Sequence, residues 1–227
     1  MNTADRHHRD PRGSLDYAVV DDFELLTAWR EGDTDAGQQL FSRHFDALFR
    51  FFRNKIGDDG AADLVQTTFL ACVERRDGFR AESSVRTFLF AVARRRLYSY
   101  LESKHRAGRH FDPMTTSVVD LGTTPSQAID RERSYGVLLA ALRTLPVEMQ
   151  TLLELHYWET LSGPELAVVF DVPEGTVRTR LRRAKQVLAR TIDHLRQGAP
   201  VVTHEDDLEQ WADEVREEFA KSTEPSR

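Results

Sequence analysis

The 227-residue sequence has a single cysteine, Cys72, so no internal disulfide can form. That predicts a reducing, cytoplasmic setting. Cys72 sits between Ala71 and Val73 on an apolar run, the setting of a buried thiol and not of a reactive one. No apolar stretch reaches bilayer length, which argues against membrane insertion. The amino terminus is rich in Asp, Arg and His and does not read as a secretory signal. Nothing alternates with period two for long, so no sheet is expected. Catalytic constellations are missing as well. His156 has no Asp–His–Ser arrangement around it, and no phosphate loop is present. His7 and His8 have no carboxylate or cysteine partner at ligand spacing, so no metal is expected. The chain reads as a non-enzyme without a cofactor.

Acidic residues exceed basic ones, for a net charge of −6, which looks wrong for a nucleic-acid binder. The average hides strong segregation. Residues 86–109 hold seven Arg or Lys and one acid, Glu102, a net of +6. Residues 198–227 hold nine acids and three bases, a net of −6. Between 176 and 190 there is no acid at all. Two basic patches and one acidic tail are therefore expected.

What the chain does have is helical periodicity. Residues 1–20 are polar and aperiodic and read as a flexible arm. From Asp21, Phe23, Leu26 and Trp29 share one face up to Gly32-Asp33. Ala36, Leu40, Phe41, His44, Phe45, Leu48, Phe49 and Phe52 mark a second helix, and Gly57 to Gly60 read as a turn. Ala62 to Arg75 is a third helix, with Leu64, Val65, Thr68, Phe69 and Cys72 inward. A polar loop with one large aromatic, Phe79, precedes a fourth helix from Val85 to about Lys104. Its apolar residues are Phe88, Leu89, Val92, Ala93, Leu97, Tyr100 and Leu101. Phe79 beside Arg80, ahead of the basic Arg94 to Arg96, pairs a stacking surface with phosphate-binding charge, as proteins that hold unpaired bases do. Residues 107–131, with Gly108, Pro113, Gly122 and Pro125, read as a linker, on which Val118, Val119 and Leu121 patch a surface. Helices over 132–145 and from Pro146 onward complete a second bundle.

The stretch from 162 to 192 organises the rest. Ser162 and Glu165 form a capping box, with Pro164 preset for the first turn. Leu166, Val169 and Phe170 give that short helix one buried side. Asp171 to Gly175 break it. Val177, Leu181, Ala184, Leu188 and Ile192 then form a second apolar stripe, with Arg178, Arg180, Arg182, Arg183, Lys185 and Arg190 off it. A short capped helix, a sharp turn and a longer basic helix have the layout of helix-turn-helix DNA readers.

These residues also resemble a family. Leu161-Ser162, Glu165 to Ala167 and Pro173 to Lys185 are similar to the −35-reading domain of bacterial sigma factors of the extracytoplasmic-function (ECF) group. Asp63 to Leu70, Phe79-Arg80, Ser83-Ser84, Arg86 to Leu89 and Ala93-Arg94 resemble the second domain of the same factors. The resemblance implies that Asp63, Gln66, Phe69 and Leu70 dock on the clamp helices of the largest subunit of core RNA polymerase. It implies that Phe79, Arg80, Ser83, Ser84, Arg86, Arg94 and Arg95 hold the −10 element. It further implies that Gly175, Thr176, Arg178, Thr179, Arg182 and Arg183 bind the −35 element, with the flap of the second-largest subunit as another contact. Arg180 takes a phosphate or a structural role. The chain departs from the family pattern at Thr67, Phe88, Arg95 and Ser99, and Arg95 with Arg96 makes the fourth helix more basic.

The expected protein is all-α: two small helical bundles joined by a flexible linker, the second containing the helix-turn-helix. The expected divisions are an arm (1–20), sigma region 2 (21–106), a linker (107–131), sigma region 4 (132–197) and an acidic amphipathic extension (198–227). The extension carries Leu208, Trp211, Ala212, Val215 and Phe219 on one face. The expected partners are promoter DNA, core polymerase and an anti-sigma factor. A stand-alone helix-turn-helix regulator would need neither the Asp63–Leu70 motif nor the Phe79 loop. A sigma mimic that binds no DNA would not need the basic face from 178 to 190.

Overall fold

A computed structural model describes residues 20–74, 83–104, 111–122 and 134–195. The expected Phe79 loop, the acidic extension and the amino-terminal arm up to residue 19 lie outside the described residues. Among the described residues there are eight helices: α1 (Asp22–Arg30), α2 (Thr34–Ile56), α3 (Asp58–Glu74), α4 (Val85–Lys104), α5 (Ser134–Thr144), α6 (Val147–Tyr157), α7 (Gly163–Phe170) and α8 (Glu174–Leu195). Among the described residues there is no strand, only an isolated bridge between Ser117 and Pro146. No helix among them is long and apolar enough to cross a membrane.

Local chemistry sets the boundaries. The Asp21 carboxylate accepts from the Glu24 amide at 2.8 Å and opens α1. Asp33 does the same for α2, accepting from the Asp35 and Ala36 amides at 2.9 and 3.1 Å. Gly57, at φ 80°, ends α2 in a conformation that favours glycine. The break there is shorter than the sequence implied. Helix α3 begins at Asp58, and Gly60 lies inside it. Phe23 also departs from expectation. It is 48% exposed, while Leu25 takes the inward position beside Leu26. A nine-residue helix lying along one side of α2 buries a narrow stripe, and adjacent leucines fill it.

The two bundles share a core. One apolar cluster runs from Leu25 and Leu40 through Phe88 and Ala93 to Leu166, Phe170 and Val177. A smaller one joins Leu138 and Leu142 of α5 to Leu153 of α6 and Leu188 of α8. The cause lies in α4. Every residue from Thr87 to Ala93 is buried, so this helix is apolar around its whole girth and needs neighbours on more than one side. Helices α2 and α3 cover part of it, and α7 covers the rest. Residues 111–122, inside the expected linker, are seated rather than loose. Phe111 and Val118 are buried, and the carbonyls of Thr116 and Pro113 accept from the Val147 and Glu148 amides, both at 2.9 Å. Those amides open α6 and have no partner within the helix. Val119 stays 55% exposed.

One contact inside the first bundle is testable. Gly37 is buried on α2, and a Cβ added there would lie 2.5 Å from Nε1 of Trp29. Alanine in a helix interior is favoured over glycine by about 1 kcal/mol. Overpacking against a half-buried indole costs about 1–3 kcal/mol. Gly37→Ala is therefore expected to lower the thermal midpoint, read by circular dichroism. A raised midpoint would show that the Trp29 ring yields freely.

Candidate nucleic-acid and polymerase interfaces

The helix-turn-helix forms as the residues dictate. The Glu165 carboxylate accepts from the Ser162 amide at 2.9 Å and from its hydroxyl at 2.7 Å. Burial works to raise the Glu165 pKa, but those two donors and the Thr87 hydroxyl outweigh it and hold the carboxyl below its ordinary value. Asp171, at φ 55°, turns the chain in the left-handed region. The break is confined to 171–173, because α8 starts at Glu174, two residues earlier than Thr176. Val177, Ala184, Leu188 and Ile192 are buried as the stripe predicted, and Leu181 is half-buried.

That burial sets the outer face. Arg178, Thr179, Arg182 and Arg183 are all exposed, one helical turn apart in two rows. Thr176 is half-exposed, and Gly175 faces open space. Two side-chain contacts qualify the basic row. The Arg178 guanidinium donates to Glu174 at 3.0 Å, an exposed i,i+4 pair of little energetic weight. Arg180 does not point outward with the others. It donates to Glu148 at 2.8 Å and so has a structural role.

On the first bundle, Asp63, Gln66 and Leu70 lie on one exposed face of α3, at i, i+3 and i+7. Leu70 is 50% exposed, a large apolar residue beside a carboxylate and an amide. Phe69 faces the other way. It is 2% exposed, and its ring centroid lies 4.9 Å from that of Phe41 and 6.2 Å from that of Trp29. It holds α3 in place instead of presenting itself to a partner.

The expected −10 residues are divided by the fold. Phe79 and Arg80 lie outside the described residues. The Ser84 hydroxyl accepts from the Thr87 amide at 3.1 Å, as a cap for α4. Ser83 is half-buried, and Arg95 is exposed. Arg86 and Arg94 turn into the seam between the bundles. Arg86 donates to Glu159 at 2.7 Å. Arg94 donates to Glu148 at 3.1 Å, and its guanidinium lies 4.8 Å from the ring centroids of both Tyr98 and Phe170.

Sequence reasoning missed the acidic half of this seam. Glu148, Glu154 and Glu159 are only 3%, 2% and 4% exposed. Glu154 pairs with Lys55, which is fully buried. The Lys55 ammonium also donates to the Phe51 carbonyl at 2.9 Å, and Gln150 donates to the Glu154 carboxylate, also at 2.9 Å. Burial pushes the Lys55 pKa down and the Glu154 pKa up, each against the pull of its partner. Glu159 receives Arg50 at 3.3 Å as well as Arg86. The Tyr98 hydroxyl donates to Glu148, and burial, reinforced by that carboxylate, keeps the phenol protonated. The signal available in the sequence is that α6 sets its two acids, Glu148 and Glu154, among apolar residues at 147, 149, 152, 153 and 155, a spacing that leaves them no separate polar face and calls for buried cations.

Comparison with known proteins places this geometry. The family model described as sigma-70 region 2 matches residues 40–107, and that described as sigma-70, region 4 matches residues 135–188. The ECF RNA polymerase sigma factor SigM of Mycobacterium tuberculosis is 30% identical over 182 residues, 79% of this chain and 89% of SigM. The ECF RNA polymerase sigma-E factor of Haemophilus influenzae is 26% identical, over 77% of this chain and 96% of that protein. Among solved structures, CnrH in complex with the cytosolic domain of CnrY aligns with a TM-score of 0.56 at 24% identity, over 76% of this chain and 97% of that one. RpoE of Bartonella quintana, in complex with the anti-sigma factor NepR, aligns with a TM-score of 0.52 at 22% identity, over 69% and 96%. Both likenesses concern the all-helical fold. With its two matched regions in family order, and with 30% identity to SigM across most of both chains, this chain belongs to the ECF sigma factors of RNA polymerase.

Proposed function

We propose that the chain directs core RNA polymerase to promoters by holding the −35 and −10 elements on two separate helical surfaces, and that it acts in the bacterial cytoplasm. The observation that carries this reading is the pairing of two exposed rows in one chain. Asp63, Gln66 and Leu70 on α3 offer a partner a mixed polar and apolar grip. Arg178, Thr179, Arg182 and Arg183 on α8 offer a groove-sized helix with cations on its outer side. Residues 21–106 and 132–197 are the two functional regions in this reading. Phe79, Arg80, Ser83, Ser84, Arg86, Arg94 and Arg95 take the −10 strand, and Gly175 and Thr176 bring the start of α8 against the −35 backbone. Phe69 serves the clamp contact indirectly, by fixing the helix that carries it. The polymerase contacts are the largest-subunit clamp helices and the second-largest-subunit flap. Among solved structures of this fold, RpoE of Bartonella quintana was captured with the anti-sigma factor NepR and CnrH with the cytosolic domain of CnrY, and an anti-sigma factor is the proposed regulator here.

Two measurements test it. Asp63→Ala combined with Gln66→Ala is expected to weaken assembly with core polymerase by about tenfold or more, since central interface residues carry over 1 kcal/mol each. The variant stays folded, because both side chains are exposed. Unchanged core affinity would remove the clamp assignment.

On the −35 duplex, a base-reading arginine replaced by alanine is expected to lose about 1–3 kcal/mol of discrimination at one or two positions. A phosphate-gripping one is expected to weaken all sequences alike and flatten the salt slope by about one unit. Titration of Arg178→Ala and Arg182→Ala against matched and mismatched duplexes at several salt concentrations separates the two. No change in affinity, specificity or slope for either variant would mean that α8 does not face DNA.

A further inference from the structure

Helix α5 packs on α8 and α6. Between the three helices runs a cleft of about 290 Å³, counting the space open to solvent at its mouth. Leu138 and Leu142 of α5 and Leu188 of α8 form its apolar wall, and Tyr157 and Trp158 stand half-buried along it. Glu154 also lines it but is already paired with Lys55, so the cleft offers a newcomer apolar and aromatic surface. Tyr157 adds a polar requirement. Its hydroxyl is buried, and among the described residues it has no hydrogen-bond partner, a costly state for such a group. The rim is cationic. The Lys185 ammonium lies 5.3 Å from the centroid of the Tyr157 ring, and Arg143 stands next to Leu142 in the last turn of α5.

We propose that the occupant of this cleft is the chain's own acidic extension, with residues 208–219 laid along α5 and α6 as an added helix. Leu208, Trp211, Val215 and Phe219 recur at helical spacing and supply the apolar face the cleft calls for. Length fits. Twelve residues of helix span about 18 Å, and the eleven residues of α5 span about 16 Å. Reach fits as well. Leu195, where the described part of α8 ends, lies about 10 Å along the helix from Leu188. The intervening residues 196–207 extend to about 40 Å, and Gly198 and Pro200 allow the chain to turn back. Charge fits too, since residues 198–227 carry a net of −6 and the rim carries Lys185 and Arg143. The other segments that lie outside the described residues match less well. Residues 123–133 offer only Ala128 and Ile129 beside one proline, and residues 1–19 are aperiodic. Leu188 lies on the buried stripe of α8, so the docked extension leaves Arg182 and Arg183 exposed on the other side. The extension thus closes the apolar cleft and not the basic face, and any foreign helix that seeks the cleft must first displace it. This assignment does not depend on the promoter roles proposed above.

The test uses the full chain free in solution. Trp211 is replaced by the photoreactive residue p-benzoylphenylalanine, and its cross-links are mapped by mass spectrometry after gel separation of monomer from dimer. Adducts within the monomer, on residues 138–158 or around Leu188, are expected. Adducts confined to the dimer would make a second copy the occupant and overturn the proposal. So would monomer adducts that fall only on the first bundle, or no adduct on the second. Hydrogen exchange of the unlabelled chain gives an independent reading. The amides of 208–219 are expected to be protected in the wild type. Phe219→Asp is expected to speed their exchange roughly tenfold or more, the effect of losing one buried aromatic on a local opening equilibrium. Exchange of 208–219 at the rate of an unstructured peptide in the wild type would overturn the docking and leave the cleft to an outside partner. Protection that survives Phe219→Asp unchanged would overturn the assigned face.

Discussion

Three buried carboxylates decide how the two halves of this protein meet. Taking a carboxylate out of water costs several kcal/mol even after relaxation, and its cation costs a similar amount. Glu148, Glu154 and Glu159 are tolerated inside because each finds at least one cation across the seam or on α8. The gain is in register more than in raw stability. A seam of leucines alone would accept several sliding positions of α6 and α7 along α4. With acids at three points, only one position leaves no charge unpaired. That docking decides that Arg50, Arg86 and Arg94 of the first bundle each face a glutamate.

Much of the fold was legible because it is written locally. The apolar stripe from Val177 to Ile192 predicted which side of α8 is buried, and with it the exposure of Arg178, Arg182 and Arg183. The capping residues Ser162 and Glu165 predicted where α7 begins. Leu64, Val65, Thr68, Phe69 and Cys72 were placed inward and are buried. Placing Phe69 in the core by its period and on the clamp by resemblance were competing statements, and its burial favours the first.

What was not legible is what depends on distant partners. Lys55 and Glu154 stand 99 residues apart, and no period connects them. Arg86 and Arg94 looked like members of a free basic patch, because the acids that neutralise them lie in the other bundle. The nearest sequence signal was the unbroken apolar run from Phe88 to Ala93, with Phe90 and Ala91 off the expected apolar face. A helix without a polar side requires a second neighbour, but the pattern does not say which. Phe23 illustrates the local limit. Phe23 and Leu25 are two residues apart and so lie on different sides of a helix, and only the packing of α2 selects between them.

Glu148 has a consequence for how such a sequence can drift. Its carboxylate is shared by Arg94 and Tyr98 of α4 and by Arg180 of α8, and its own amide is held by the Pro113 carbonyl. A neutral replacement of Glu148 strands Arg94, Tyr98 and Arg180 together, so tolerated changes there must arrive in step across segments more than 80 residues apart, from Arg94 to Arg180. The outer row of α8 has no such internal creditors. Arg182 and Arg183 can be exchanged without disturbing the seam. Changes on that row can therefore accumulate one at a time, while the joint between the two halves changes only as a block.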